Sequence, residues 1–194
     1  MNWLECKSLI YADLCRCTDK HTKISAFKLI FLNSSFKVTF WFRIGSYLQN
    51  RKKFKLLYYC VCWYYNCLMY KTGIQLPIGT NVGAGLRFYH FGNVVINGKS
   101  KIGINASIYN GVTLGINYKP EGVYTKPPVI GDNVVLCTGA KVIGNVFVGN
   151  NSVIGANAVV LKDIPEDAVA AGVPAIIIRK TGGGKYVESF INHL

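Results

Sequence analysis

Among the side chains able to do chemistry, His90 stands apart. Only two other histidines occur, His21 and His193, both far from it in sequence. An imidazole titrates near neutrality, so it can take a proton from a hydroxyl as that oxygen attacks a carbonyl. The competing reading is a buried histidine satisfied by a backbone carbonyl. The seven cysteines are an odd number, and Cys15/Cys17 and Cys60/Cys62 are too close to pair with each other. Neither pair has zinc-site spacing, so no metal is expected. They read as free thiols packed as small hydrophobes, as suits a reducing cytosol with no signal peptide.

The elements that must position His90 form a repeat of six residues. Its first slot holds Ile78, Ala84, His90, Ile96, Ile102, Ile108 and Leu114, then resumes as Ile130, Leu136, Val142, Val148, Ile154 and Val160. The fifth slot holds Val82, Phe88, Val94, Ser100, Ala106 and Val112, then Val134, Ala140, Val146, Ser152, Ala158 and Ile164. Many second slots are Gly, including Gly103, Gly131, Gly149 and Gly155. A period of six fits neither a helix nor simple strand alternation. It predicts an all-β solenoid: short parallel strands, aliphatic side chains stacked inward, and Gly at each corner. Strict register points residue 90 inward, so a bulge with slack at Gly92 must turn it out.

The period stops over residues 116–129, INYKPEGVYTKPPV, which reads as an extended loop stiffened by Pro120, Pro127 and Pro128. Residues 1–72 lack the repeat and read as a mostly helical, aromatic segment. The solenoid follows over 73–180, and Gly182–Gly184 joins it to a flexible tail, 181–194. Within the first segment, RKKFK at 51–55 precedes fifteen residues rich in Tyr, Trp and Cys, Leu56 to Tyr70. That run is too short to span a bilayer. It reads as a helix covering the open end of the solenoid, or as an interfacial helix making peripheral contact with a membrane through residues 51–70.

The chain carries 22 basic and 9 acidic residues, a formal charge of +13. Such a surface favours anionic partners, including acidic glycans, phosphorylated cofactors or a membrane face. Basic runs interleaved with base-stacking motifs are missing, which argues against nucleic acid.

The segments GLRFYHFGNVVI (85–96), YNGVTLG (109–115), IGDNVV (130–135), TGAKVIGNV (138–146), IGANAVVLKDIP (154–165) and AGVPA (171–175) resemble the hexapeptide-repeat acyltransferases. The likeness is to the serine acetyltransferase branch and to its relatives, the capsule and exopolysaccharide O-acetyltransferases. The resemblance implies a left-handed parallel β-helix, a cytoplasmic homotrimer with sites in the seams between subunits, and acetyl-CoA as donor. It makes His90 the general base. It sets CoA along Gly115, Thr138, Ala140 and Ala156, with Lys162, Pro174 and Arg179 towards the adenine and phosphate end. The acceptor side would draw on Tyr89, Asn110, Lys119 and Lys126. Corner packing alone would also make Thr138, Ala140 and Ala156 small, and solvated loop charge would also explain the lysines.

The departures concern the acceptor. Serine acetyltransferases carry Asp immediately before the His, where this chain has Tyr89. Their Arg-His-Pro stretch reads Lys126-Pro127-Pro128 here, and their Asp near the linker has no counterpart in GIQLP. The expected activity is therefore acetyl transfer to a saccharide hydroxyl. The alternatives are serine O-acetylation, sugar N-acetylation and a non-catalytic hexapeptide scaffold.

Overall fold

The computed structural model describes residues 1–18, 23–118, 122, 124–181 and 183–186. Four helices come first: α1 (Trp3–Cys15), α2 (Lys23–Leu32), α3 (Ser34–Leu48) and α4 (Lys55–Thr72). Their ends follow the sequence. Asn2 accepts the Glu5 amide at 2.9 Å while Glu5 accepts the Asn2 amide at 2.8 Å, a reciprocal cap on α1. Asn33 caps α3 by accepting the Phe36 amide at 2.9 Å. Gly73, at φ 65°, ends α4 and donates to the Met69 carbonyl.

From Ile74 the chain winds into three parallel sheets, each strand pairing with its counterpart one coil later. One sheet stacks 74–75, 94–96, 113–115, 141–143 and 159–160. A second stacks 81–82, 101–102, 129–130 and 147–148. The third stacks 87–88, 107–108, 135–136, 153–154 and 169–172, and Ala175–Arg179 closes it antiparallel. The result is a three-sided parallel solenoid filled by columns such as Val94–Val112–Ala140–Ala158 and Phe88–Ile108–Leu136–Ile154. Each fully buried aliphatic contributes about 1.5–3 kcal/mol, which short strands need because their own ladders are brief.

The corners match the expectation of Gly only in part. The left-handed corner residue is Asn as often as Gly: Asn105, Asn133, Asn151 and Asn157 have φ of 55° to 57°, and Gly85, Gly111 and Gly139 hold the equivalent place at 73° to 76°. Asn105 donates to Asn133 at 3.1 Å and Asn133 to Asn151 at 2.9 Å, a side-chain ladder up one edge. The second-slot glycines serve close stacking instead. A Cβ on Gly103 would stand 2.6 Å from the Gly131 carbonyl carbon.

Stacked partners are 18 residues apart in regular coils, as in Val95–Thr113 and Lys141–Val159. The loop at 116–129 stretches Lys101–Val129 to 28. Its neck is a hairpin in which Thr125 donates to Asn117 at 2.8 Å and Tyr118 pairs with Tyr124.

The helices cap the first coil. Val38, Phe42, Tyr65 and Leu68 join the solenoid core, and the Tyr65 hydroxyl donates to the Leu76 carbonyl at 2.8 Å. Arg43 on α3 donates to Asp13 on α1 through Nε (2.9 Å) and Nη2 (3.2 Å), and to the carbonyls of Val82 and Gly83. Asp13 also accepts the Leu86 amide at 2.9 Å. Burial pushes the Asp13 carboxyl up, and Arg43 and the backbone amides pull against it. At the other end Gly183 is buried and donates to the Asp167 carbonyl, so this part of the expected flexible joint is seated against the last coil.

Candidate functional site

His90 is exposed, on a corner unlike the others. Inward-facing Ile108 and Val112 are four residues apart, as are Leu136 and Ala140, but Phe88 and Val94 are six apart. The extra pair widens the corner over 89–93 and stretches the Arg87–Ser107 pairing to 20. Gly92 at φ 108° and Asn93 at φ 52° absorb the turn. The expected inward slot for residue 90 is thereby corrected. Ahead of this corner the inward column is Leu76, Val82 and Phe88, two residues before Ile78, Ala84 and His90, so the first three sixes were read out of phase. The slack at Gly92 is where the repeat required it.

Next to His90 lies a recess of about 260 Å³. Arg87, Tyr89 and Phe91 line it from the coil, and Cys17, Asn33, Ser34 and Ser35 from the helical segment. Ser35 Oγ accepts the Phe88 amide at 3.0 Å, fixing the start of α3 against the strand that leads to His90. The Arg87 guanidinium lies 4.2 Å over the Tyr89 ring. Tyr89 in turn stacks on Tyr109 at 4.5 Å with an interplanar angle of 2°. The His90 ring is 6.1 Å from that of Tyr109.

Beneath this stack Arg16 is 1% exposed. It donates to Ser107 Oγ at 2.6 Å and to the Asn105 carbonyl at 3.3 Å, and the Tyr89 side chain hydrogen-bonds to it. Burial lowers its pKa from the usual guanidinium value, an effect opposed by Tyr89. Burial also pushes the Cys17 thiol up to about 11, so it stays protonated at neutral pH. Among the described residues no carboxylate lines the recess and none bonds the imidazole.

One edge of the prism gathers part of the expected site. The Gly111 amide donates to the Gly92 carbonyl (3.0 Å), Gly139 to Asn110 (2.8 Å) and Asn157 to Thr138 (2.9 Å). The His90 corner therefore heads a line running through Asn110, Thr138 and Ala156. Thr138 donates its hydroxyl to Asn110 Oδ1 at 3.2 Å. Gly155 bonds to Ala170, so the Gly172–Pro174 turn continues this edge.

Other expected residues fall elsewhere. Ala140 is fully buried and its side chain belongs to the core, so only its backbone faces this edge. Gly115 and Lys162 lie across a sheet from His90. Lys126 does too, in a separate recess with Asn97, Lys99 and Pro127. Arg179 pairs with Val169 at a third edge and reaches Tyr186. Lys119 lies outside the described residues. Arg16, Arg87 and Tyr109 were missed; only the unusual Arg inside GLRFYH marked one of them in advance.

A three-sided parallel solenoid with a histidine on its widened corner defines a class. The profile of the bacterial transferase hexapeptide (six repeats) matches residues 127–162. A serine acetyltransferase of Staphylococcus aureus is 42% identical over 111 residues, 57% of this chain and 51% of that protein. A solved serine acetyltransferase in complex with CoA superposes at TM-score 0.69 with 30% identity, covering 90% of this chain and 69% of the other. Another CoA complex, the serine acetyltransferase of Brucella abortus, gives TM-score 0.74 at 27% identity, with coverages of 93% and 70%. The chain belongs to the hexapeptide-repeat acyltransferases of the serine acetyltransferase type. It spans about half the length of the curated relatives it matches.

Proposed function

We propose that the protein is an acetyl-CoA-dependent O-acetyltransferase in which His90 is the general base. The observation that carries this reading is the widened corner, which spends two residues to bring an imidazole to the surface beside a recess. His90 would take the proton of an acceptor hydroxyl as its oxygen attacks the thioester carbonyl. Collapse of the tetrahedral adduct expels the thiolate, which takes up a proton, and leaves the acetyl ester. Two of the superposed serine acetyltransferases are complexes with CoA, which supports the donor. Thr138 and Ala156 offer a low edge for the pantetheine arm. Lys162 and Arg179 offer cations for phosphates, but on other edges of the same chain. A site drawing on all of them would lie in a seam between copies, as in the homotrimer and left-handed winding taken over from the family.

The relatives favour serine as acceptor, and with it cysteine biosynthesis, over the saccharide expected from the departures. Arg87, the one permanently charged side chain in the described lining of the recess, would suit a carboxylate. A glycan partner finds no support in the relatives. One observation keeps a saccharide as the second reading: the described lining of the recess offers no carboxylate for serine's ammonium, and it presents the stacked Tyr89 instead. Thiol release from acetyl-CoA, measured with L-serine, with neutral sugars and with uronic acids, decides. Turnover with serine at a rate above the sugars establishes the first reading; turnover with sugars alone establishes the second. No turnover with any hydroxyl acceptor overturns both.

A further inference from the structure

The outer face of α4 packs against no other described element. Leu56, Tyr59, Cys60, Trp63, Cys67 and Tyr70 fall three or four residues apart, on one side of the helix, and all are exposed. Leu56 is 79%, Trp63 71% and Tyr70 89% exposed, whereas Val61, Tyr65 and Leu68 on the opposite side are buried. A continuous apolar stripe of this kind marks an interaction surface. Its ends are cationic: Arg51, Lys52, Lys53 and Lys55 lead into it and Lys71 closes it.

At the basic end a cleft of about 540 Å³ is lined by Gln49, Arg51, Lys52, Lys55, Tyr58 and Tyr59, among others. Arg51 lies 4.1 Å from the Tyr47 ring centroid, and its Nε is buried without a hydrogen-bond partner among the described residues. Lys37 and Lys71 flank the stripe in a second cleft shared with Tyr64 and Cys67. The sequence from 20 to 120 contains fourteen Lys and Arg and no Asp or Glu. No described helix is long and apolar enough to cross a membrane.

We propose that α4 lies flat on an anionic lipid surface, its aromatic stripe in the headgroup boundary and its lysines on phosphates. Aromatic rings settle at that depth and basic residues gain from the negative surface potential. A second copy of this chain is the poorer occupant. Two such faces would bring like charges together, with no acidic residue between 20 and 120 to answer them. Lipid phosphate supplies both the apolar layer and the opposite charge. This inference concerns where the protein sits and is independent of the acceptor.

Flotation of the full chain with phosphatidylcholine vesicles, with and without phosphatidylglycerol, tests it. Binding is expected only with the anionic lipid, weakening as salt rises. The tryptophan emission should shift to the blue on binding, and Trp63→Phe should remove that shift. Reversing charge with Lys52→Glu, Lys53→Glu and Lys55→Glu should weaken vesicle binding roughly a hundredfold or more. These side chains are exposed, so the fold survives, and unchanged CoA binding confirms it. Failure to bind anionic vesicles overturns the proposal, as does equal binding to neutral ones. It is also overturned if Trp63→Ser with Tyr70→Ser lowers the mass measured by light scattering and leaves vesicle binding unchanged; the face would then belong to a second copy.

Discussion

Gly92 offers its carbonyl to the amide of Gly111 at 3.0 Å, so the loop that carries His90 is hung from the coil above it. Gly92 itself holds φ 108°, where side chains are strained, and a Cβ there would meet no atom within 4 Å. The cost of a substitution is therefore backbone strain without a clash. Gly92→Ala should destabilise the protein by about 1–3 kcal/mol. It should also slow acetyl transfer, because relief of the strain moves His90. Urea unfolding and kcat measured on the same variant check both. Unchanged stability would show that the corner relaxes without loss.

His90→Ala removes the proposed base and leaves the surrounding edge intact. Turnover should fall by about 10²–10⁴-fold, the usual worth of a positioned general base. CoA binding, measured by calorimetry, should be kept, since the imidazole heads the line of corners and is not part of the low edge at Thr138 and Ala156. A variant that retains full rate would remove His90 from the chemistry.

Much of this architecture was legible because stacking needs apolar residues at fixed intervals. Ile102, Ile108, Ile130 and Leu136 announce their columns directly. The period could not reveal where it slipped. Counting sixes back from Ile96 gives His90, Ala84 and Ile78, and only the fold shows Phe88, Val82 and Leu76 in those places. The two inserted residues at the corner keep apolar residues in both phases, so the pattern hides the shift. The Asn ladder was overlooked for a related reason: Gly103 and Asn105 both signal a corner, and only backbone angles separate close approach from left-handed turn. Pairings from helix to coil, such as Arg16 with Ser107, join residues 91 apart and leave no local trace.

The Asp13–Arg43 pair holds α1 and α3 to the coil at Val82–Leu86, just ahead of the His90 strand. Arg43→Met strips the counter-charge and leaves a buried carboxyl that desolvation alone pushes up. The loss should be about 3–5 kcal/mol near neutral pH. Its pH dependence has a definite sign. With a folded pKa above the unfolded one, Asp13 binds its proton more tightly in the native state, so stability falls as pH rises through that range. The deficit of Arg43→Met relative to wild type should therefore shrink towards pH 5 and grow towards pH 8. Chemical denaturation at the two pH values measures it; a deficit that grows towards acid would contradict the burial of Asp13.

Thiol reactivity should divide the seven cysteines by place. All are free; Cys60 and Cys67 are exposed on the α4 stripe, while Cys6 is buried in the helical cap. Burial raises the pKa values of Cys6 and Cys137, and brings Cys17 to about 11. At pH 8 a thiol of that pKa is only roughly 0.1% thiolate, and the thiolate is the species that alkylates. Iodoacetamide followed by peptide mass mapping should therefore label Cys60 and Cys67 first and Cys17 far more slowly. Raising the pH towards 10 should speed Cys17 in proportion to its thiolate while Cys6, held inside the helices, remains slow until they open. Rapid labelling of Cys17 at pH 8 would mean that the wall of the His90 recess is open to solvent, and that the start of α3 is not fixed there.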